Sequence, residues 1–140
     1  MVRVTTDGDV RVLTLDEPDR RNALDRAALR ALEAAVEDAT EPVLYLHGEG
    51  PAFCAGADLD VVRALDGDDA GEFAALGQRV ATAIEGYDGA VVAGVDGAAR
   101  GGGVELALAC DIRVATPDAT FAETGVKLGL FGAWGGTTRL

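Results

Sequence analysis

Apolar runs of strand length alternate along this chain with longer segments of helical period, and few architectures accept that order. Residues 2–6 and 10–15 alternate apolar and polar side chains around Asp7-Gly8, which predicts a hairpin. Glu17-Pro18-Asp19 ends the second strand. Asp25 then stands where an N-cap is wanted, ahead of a helix over residues 26–39 with Leu29, Leu32, Ala35 and Val36 on one face. Glu41-Pro42 breaks that helix, residues 43–46 read as a buried strand, and residues 48–56 as a Gly/Pro loop. A short helix is predicted over residues 58–65. The acidic stretch Asp66-Gly67-Asp68-Asp69 reads as a linker to another helix, which carries Phe73, Leu76, Val80, Ala83 and Ile84 at helical spacing. Residues 91–95 predict the next strand, Arg100-Gly101-Gly102-Gly103 opens a helix over residues 104–109, and residues 112–115 read as a further strand. Strands joined through helices lie parallel, because the crossover returns the chain to the same end of the sheet. The expectation is an α/β fold, one domain over residues 1–140, with no clear sequence repeat.

Hydrophobic residues make up 49% of the 140 but aromatics only 5%, so the core has to be built from Ala, Val and Leu. No apolar run approaches the roughly 20 residues a membrane helix needs. Met1-Val2-Arg3-Val4-Thr5 reads as strand rather than signal peptide, so no membrane association and a cytoplasmic protein are expected. Acids outnumber bases 24 to 12, for a net charge of −12, and Lys127 is the only lysine. That balance excludes nucleic acid as a partner, which needs basic clusters against its phosphates. The acids are spread along the chain, so they describe a charged surface and not an acidic tail. Such self-repulsion is tolerated best where salt screens it, which points to a salt-loving host. The melting temperature should therefore climb as salt is raised to molar levels, where the screening length shrinks to about 3 Å. A flat or falling curve would mark an ordinary low-salt protein.

Serine is absent, and His47 and Asn22 are the only residues of their types, which leaves almost no material for a catalytic triad. Cys54 and Cys110 sit in Ala-rich surroundings and read as small buried hydrophobes, neither disulfide scaffold nor metal site. His47 reads as a strand-end residue, Asp58 as a helix cap, and Trp134 as a packing anchor ahead of a substrate platform.

Chemistry has to come from elsewhere, and two Gly/Ala-rich segments offer it. They are Phe53-Cys54-Ala55-Gly56-Ala57-Asp58-Leu59 and Val95-Asp96-Gly97-Ala98-Ala99-Arg100-Gly101-Gly102-Gly103-Val104-Glu105-Leu106. Each puts small residues where a loop turns into a helix, and the first amides of a helix have no internal partner. Those amides suit an oxygen that carries negative charge, and two such loops meeting would give one oxyanion two donors. The plainer alternative is that the glycines only turn the chain and let it pack closely. The second segment is not a phosphate loop, because it lacks the Gly-Lys-Ser/Thr ending and Arg100 precedes the glycines.

Further landmarks come in a fixed order: Asp19-Arg20-Arg21-Asn22-Ala23-Leu24 before these segments, then Cys110-Asp111-Ile112-Arg113-Val114-Ala115, Leu128-Gly129-Leu130 and Gly135-Gly136-Thr137-Thr138-Arg139-Leu140 after them. Taken together along the whole chain, this ordered set resembles the enoyl-CoA hydratase/isomerase (crotonase) family. The resemblance implies repeated β-β-α units, a mainly parallel sheet flanked by helices, with the C-terminal helical region missing. It implies an enzyme acting on an acyl-CoA thioester through an enolate held in an oxyanion hole. The hole would be the backbone amides of Ala57 and Gly102, with Gly101 beside them. Ala55, Gly56, Asp58, Leu59 and Asp60, with the loop Asn22-Ala23-Leu24, would line the coenzyme A arm. No metal or separate cofactor is implied, since coenzyme A enters as part of the substrate, and the family's assemblies are trimer-based homo-oligomers.

Proton transfer needs side chains. Glu105, one turn into the helix after the glycine run, matches the family's first glutamate, and its apolar neighbours Val104, Leu106, Ala107 and Leu108 argue against a solvated position. The second glutamate position falls on Gly125, which has no side chain, while Glu123 stands two residues earlier, either reaching in or lying at the surface. A single carboxylate suits double-bond isomerisation better than water addition. The reading from another class is a non-catalytic acyl-CoA-binding or assembly fragment. The chain stops inside what reads as a starting helix, so truncation is expected, with Trp134 and Leu140 left without apolar partners.

Overall fold

The computed structural model describes all 140 residues. Strands β1 (Val2–Asp7) and β2 (Val10–Leu15) form the predicted hairpin, antiparallel, with Val2 opposite Leu15 and Asp7 opposite Val10. β2 then pairs in parallel with β3 (Val43–Gly48), β3 with β5 (Ala90–Val95), and β5 with β7 (Ile112–Ala115). The result is a five-stranded sheet in the order β1-β2-β3-β5-β7, parallel except for its first pair.

A second sheet was not legible in the sequence. Its strands β4 (Ala52–Cys54), β6 (Ala98–Arg100) and β8 (Thr120–Ala122) have three residues each and lie parallel in that order. Residues 48–56 are therefore not simply a loop, since β4 lies inside them. Each short strand follows a long one after a tight bend, and a helix or 3-10 turn comes next. This gives the β-β-α unit three times without any repeat in the letters. Gly97 makes one of those bends at φ +72, and a side chain there would run into the Pro51 carbonyl.

Helix α1 (Arg26–Glu37) starts where the cap predicts: the Asp25 carboxylate accepts from the Ala28 amide at 2.8 Å. It buries Ala28, Leu29, Leu32, Ala35 and Val36. After the short helix α2 (Leu59–Ala64), the acidic stretch at 66–69 is not a linker but the first turn of α3 (Gly67–Glu85). Asp66 caps the Asp69 amide, and Asp68 and Asp69 sit at the positive end of the helix dipole. α3 packs on α1 with Phe73, Leu76, Val80 and Ile84. Helix α4 (Gly102–Ala109) is buried on nearly every side. Cys54 and Cys110 are buried free thiols, pushed up to about 12 by loss of solvent. His47 lies in β3, bonded to Thr14 and stacked on Tyr45.

Trp134 is a packing anchor, as expected, but it is not left without apolar partners. It is buried, edge-on to the Phe73 ring, in space left by Gly77 of α3 and Gly102 of α4, where any Cβ would strike its ring. Leu140, which follows the last short helix α5 (Gly136–Arg139), is 83% exposed, as expected. Ile112 and Val114 of the edge strand β7 are exposed too, as are Phe121, Val126 and Phe131. No helix is long and apolar enough to cross a membrane.

Candidate active site

The two Gly/Ala segments do meet. They border a cavity of about 400 Å³ whose far wall comes from α2, α3 and the loop before α5. Leu24 and Ala57 form a parallel bridge, in which Leu24 donates to the Gly56 carbonyl at 2.8 Å and Asp58 donates to the Leu24 carbonyl at 2.9 Å. In such a bridge the central residue turns its own amide the other way. The Ala57 N–H accordingly has no protein acceptor. Gly102 is the first residue of α4, and its N–H is likewise unpartnered.

Glycine at 56 brings the two donors together. It adopts φ +86, and a Cβ there would stand 2.9 Å from the Gly102 nitrogen, so only a bare backbone lets the segments close up. Ala57 and Gly102 both line the cavity.

Glu105 is one turn further into α4, buried, with its carboxylate on the cavity. Its Oε1 accepts from the Trp134 amide at 2.7 Å and the Gly136 amide at 2.8 Å. Its Oε2 takes no hydrogen bond from the protein. Burial pushes this carboxyl above the usual range, while the Gly136 and Trp134 amides and the charge of Arg139 pull it back.

Glu123 follows β8 directly and lines the same cavity, so it reaches in. Its Oε1 is buried without a hydrogen-bond partner. The two carboxyls crowd one backbone position: a Cβ on Gly136 would lie 3.0 Å from Glu105 Oε1 and 3.1 Å from Glu123 Oε1. Burial first, and then the charge of Glu105, push the Glu123 carboxyl upward. A carboxyl raised in this way stabilises the fold below its unfolded value near 4.3 and loses that contribution as pH rises through its folded value. Glu123→Gln should therefore melt higher than the parent at pH 7, with the difference closing toward pH 4. Thermal unfolding at both pH values tests this, and equal melting at pH 7 would place Glu123 in solvent.

Of the residues singled out from the sequence, Ala55, Gly56, Ala57, Leu59, Gly101, Gly102, Glu105 and Glu123 border the cavity, and so does Gly125. Five do not. Asn22 is buried, and its amide donates to the carbonyls of Glu49, Ala52 and Phe53 while its Oδ1 accepts from Glu17 N. Its polar atoms are all spent inside the protein. Ala23 is half-buried beside it, and Leu24 is core. Asp58 caps α2 through the Asp60 amide at 2.8 Å and pairs with Arg20. Asp60 points outward to Arg63. Leu24 and Asp58 hold the Ala57 donor through the bridge, and Asn22 ties down β4 just before it. The sequence reading did not assign roles to the Trp134 and Gly136 amides that hold Glu105. The adjacent Gly135-Gly136 pair was the available signal, since a side chain at 136 would press on both carboxylates.

The family model described as enoyl-CoA hydratase/isomerase matches residues 5–140. A crotonyl-CoA hydratase from Syntrophomonas wolfei is 40% identical over 134 residues, covering 92% of this chain and 52% of that protein. A short-chain-enoyl-CoA hydratase from Clostridium acetobutylicum is 34% identical over 139 residues, with 96% and 53% covered. Among solved structures, the enoyl-CoA hydratase of Bacillus anthracis superposes with a TM-score of 0.92 at 30% identity, covering 99% of this chain and 56% of that one. The chain thus spans about half the length of the relatives it matches.

Proposed function

The chain belongs to the enoyl-CoA hydratase/isomerase family, and on that premise we propose that its cavity binds a 2-enoyl-CoA thioester and adds water across the double bond. The observation that carries this reading is the pair of unpartnered amides, Ala57 and Gly102, set beside two carboxyls in one apolar cavity. The thioester oxygen accepts from both N–H groups. Charge builds on that oxygen as the enolate forms, so the donors stabilise the transition state more than the bound substrate.

The surroundings of the two carboxyls divide the proton work. Glu105, held by two amides and near Arg139, is the better carboxylate. Glu123, unpartnered and facing Glu105, is the better acid. Glu105 takes a proton from water as the hydroxide oxygen bonds to the β-carbon of the acyl chain, and the π electrons move onto the thioester oxygen. Collapse of the enolate takes a proton from Glu123 at the α-carbon. Passing the proton from Glu105 to Glu123 restores the site. Only protons move and nothing is oxidised, so the chemistry calls for no electron carrier, and coenzyme A is part of the substrate. The presence of Glu123 in the cavity favours water addition over the isomerisation that a lone carboxylate suggests.

The exposed large apolar side chains, among them Ile112 and Val114 of the edge strand β7, favour a second reading, an acyl-CoA-binding or assembly unit without turnover. Loss of the conjugated enoyl-thioester absorbance on adding the protein to crotonyl-CoA separates the two. Turnover supports the hydratase. Calorimetric binding of crotonyl-CoA with no absorbance change leaves the binding unit.

A further inference from the structure

The guanidinium of Arg139 is bonded on three sides, and each bond bears on Glu105. Its Nε and Nη2 grip both oxygens of Glu85, at 3.2 and 2.7 Å, the two-pronged geometry in which Arg is most directional. Its Nη1 donates to the Trp134 carbonyl at 3.1 Å. Glu85 is the last residue of α3, the long helix packed on α1 in the core. Trp134 is the residue whose amide, with that of Gly136, holds Glu105 Oε1. Arg139 therefore ties the short 134–136 loop to a fixed helix end, and that loop is what holds the carboxylate.

We propose that Arg139 and Glu85 act as a clamp that positions Glu105, by keeping the Trp134 and Gly136 amides against its Oε1. The clamp touches no substrate, so these are positioning residues, and their assignment to catalysis rests on the hydratase reading above. An ion pair this open to water adds little to stability. Glu85 is 58% exposed, so its value lies in geometry. Besides Arg139 from α5, the charged group facing Glu105 is Glu123, which follows β8.

The test reads the Glu105 carboxyl itself, by carbon NMR titration of the full 140-residue chain, in Arg139→Gln and Glu85→Gln. Glu123→Gln supplies the assignment of the two cavity carboxyls. With the clamp released, the amides leave Oε1 and the Glu105 midpoint rises in both variants. Glu85→Gln is the decisive one, because removing an anion without loosening the loop would lower the midpoint. A fall or no change in that variant overturns the clamp and leaves Arg139 as a distant charge. Glu85 is exposed, so this variant serves even where Arg139→Gln fails to fold. In turnover, both variants should lower kcat by about ten- to a hundredfold with KM little changed, and Arg139→Lys, lacking the two-pronged grip, should recover only part. An inactive parent would sink the hydratase reading yet leave the titration free to decide the clamp.

Discussion

Glu105→Gln is expected to lower turnover of crotonyl-CoA by about two to four orders of magnitude while leaving thioester binding close to that of the parent. The substitution is clean because of how the carboxylate is held. Two backbone N–H groups point at Oε1, so the carbonyl oxygen of a glutamine has to take that place, since its amino group would set hydrogen against hydrogen. The side chain keeps its orientation, and an NH₂ replaces Oε2 on the cavity side. Shape and polarity survive, and only basicity is lost. The fold should not suffer either. Burial makes the charge of Glu105 unfavourable, so the neutral amide should melt at least as high as the parent at pH 7. Steady-state kinetics and a melting curve on one preparation settle the matter. Full activity in a folded variant would remove Glu105 from the chemistry and leave Glu123 as the only carboxyl to consider.

What the sequence could and could not show follows from the range of the interactions involved. Asp25 and α1 were legible because a cap and a helical stripe act over a few residues. Glu105 was legible because its place depends only on the helix that Gly102 opens. The strands β4, β6 and β8 were not, since three residues show no period and their pairing partners lie tens of residues away. The acidic run at 66–69 looked like a solvated linker because charge drew attention away from the Asp66 cap. Glu123 was undecided for a related reason. Counting along the chain led to Gly125, but the path of the loop after β8 is set by the contacts of residues 130–136, including Gln78 holding the Ala133 carbonyl at 2.8 Å. The place into which Trp134 packs was not legible, because its partner is a vacancy. Gly77 in the middle of α3 is where the indole fits, and an absent side chain leaves no mark in a hydrophobic pattern. The Asn22 loop was expected to line the coenzyme A arm. The Asn22 side chain also braces β4 through carbonyls 27 to 31 residues away, a role that no local pattern announces.

Deleting the Gly102 N–H should lower kcat by about a hundred- to a thousandfold, near 3 kcal/mol of transition-state stabilisation. Proline is the wrong tool for this, because any Cβ at 102 meets the Trp134 ring and a loss of activity would not be attributable to the amide. Replacing residue 102 by glycolic acid exchanges N–H for an ester oxygen and adds nothing that can collide. The folded state should tolerate the change, since this N–H has no acceptor in the protein and its removal breaks no hydrogen bond. What changes is the cavity, where one of two donors to the thioester oxygen becomes a weakly repulsive acceptor. The ground-state carbonyl is a modest acceptor and the enolate oxygen a strong one, so the loss should appear mainly in kcat and only weakly in KM. The same exchange at residue 57 should produce a loss of similar size, because the bridge to Leu24 runs through its neighbours and leaves the Ala57 N–H free. Single-turnover rates of crotonyl-CoA hydration on the semisynthetic ester, with a melting curve to verify folding, make the comparison. A folded ester that turns over at the parent's rate would mean the substrate oxygen lies elsewhere, and with it the site for which Glu105 and Glu123 are poised.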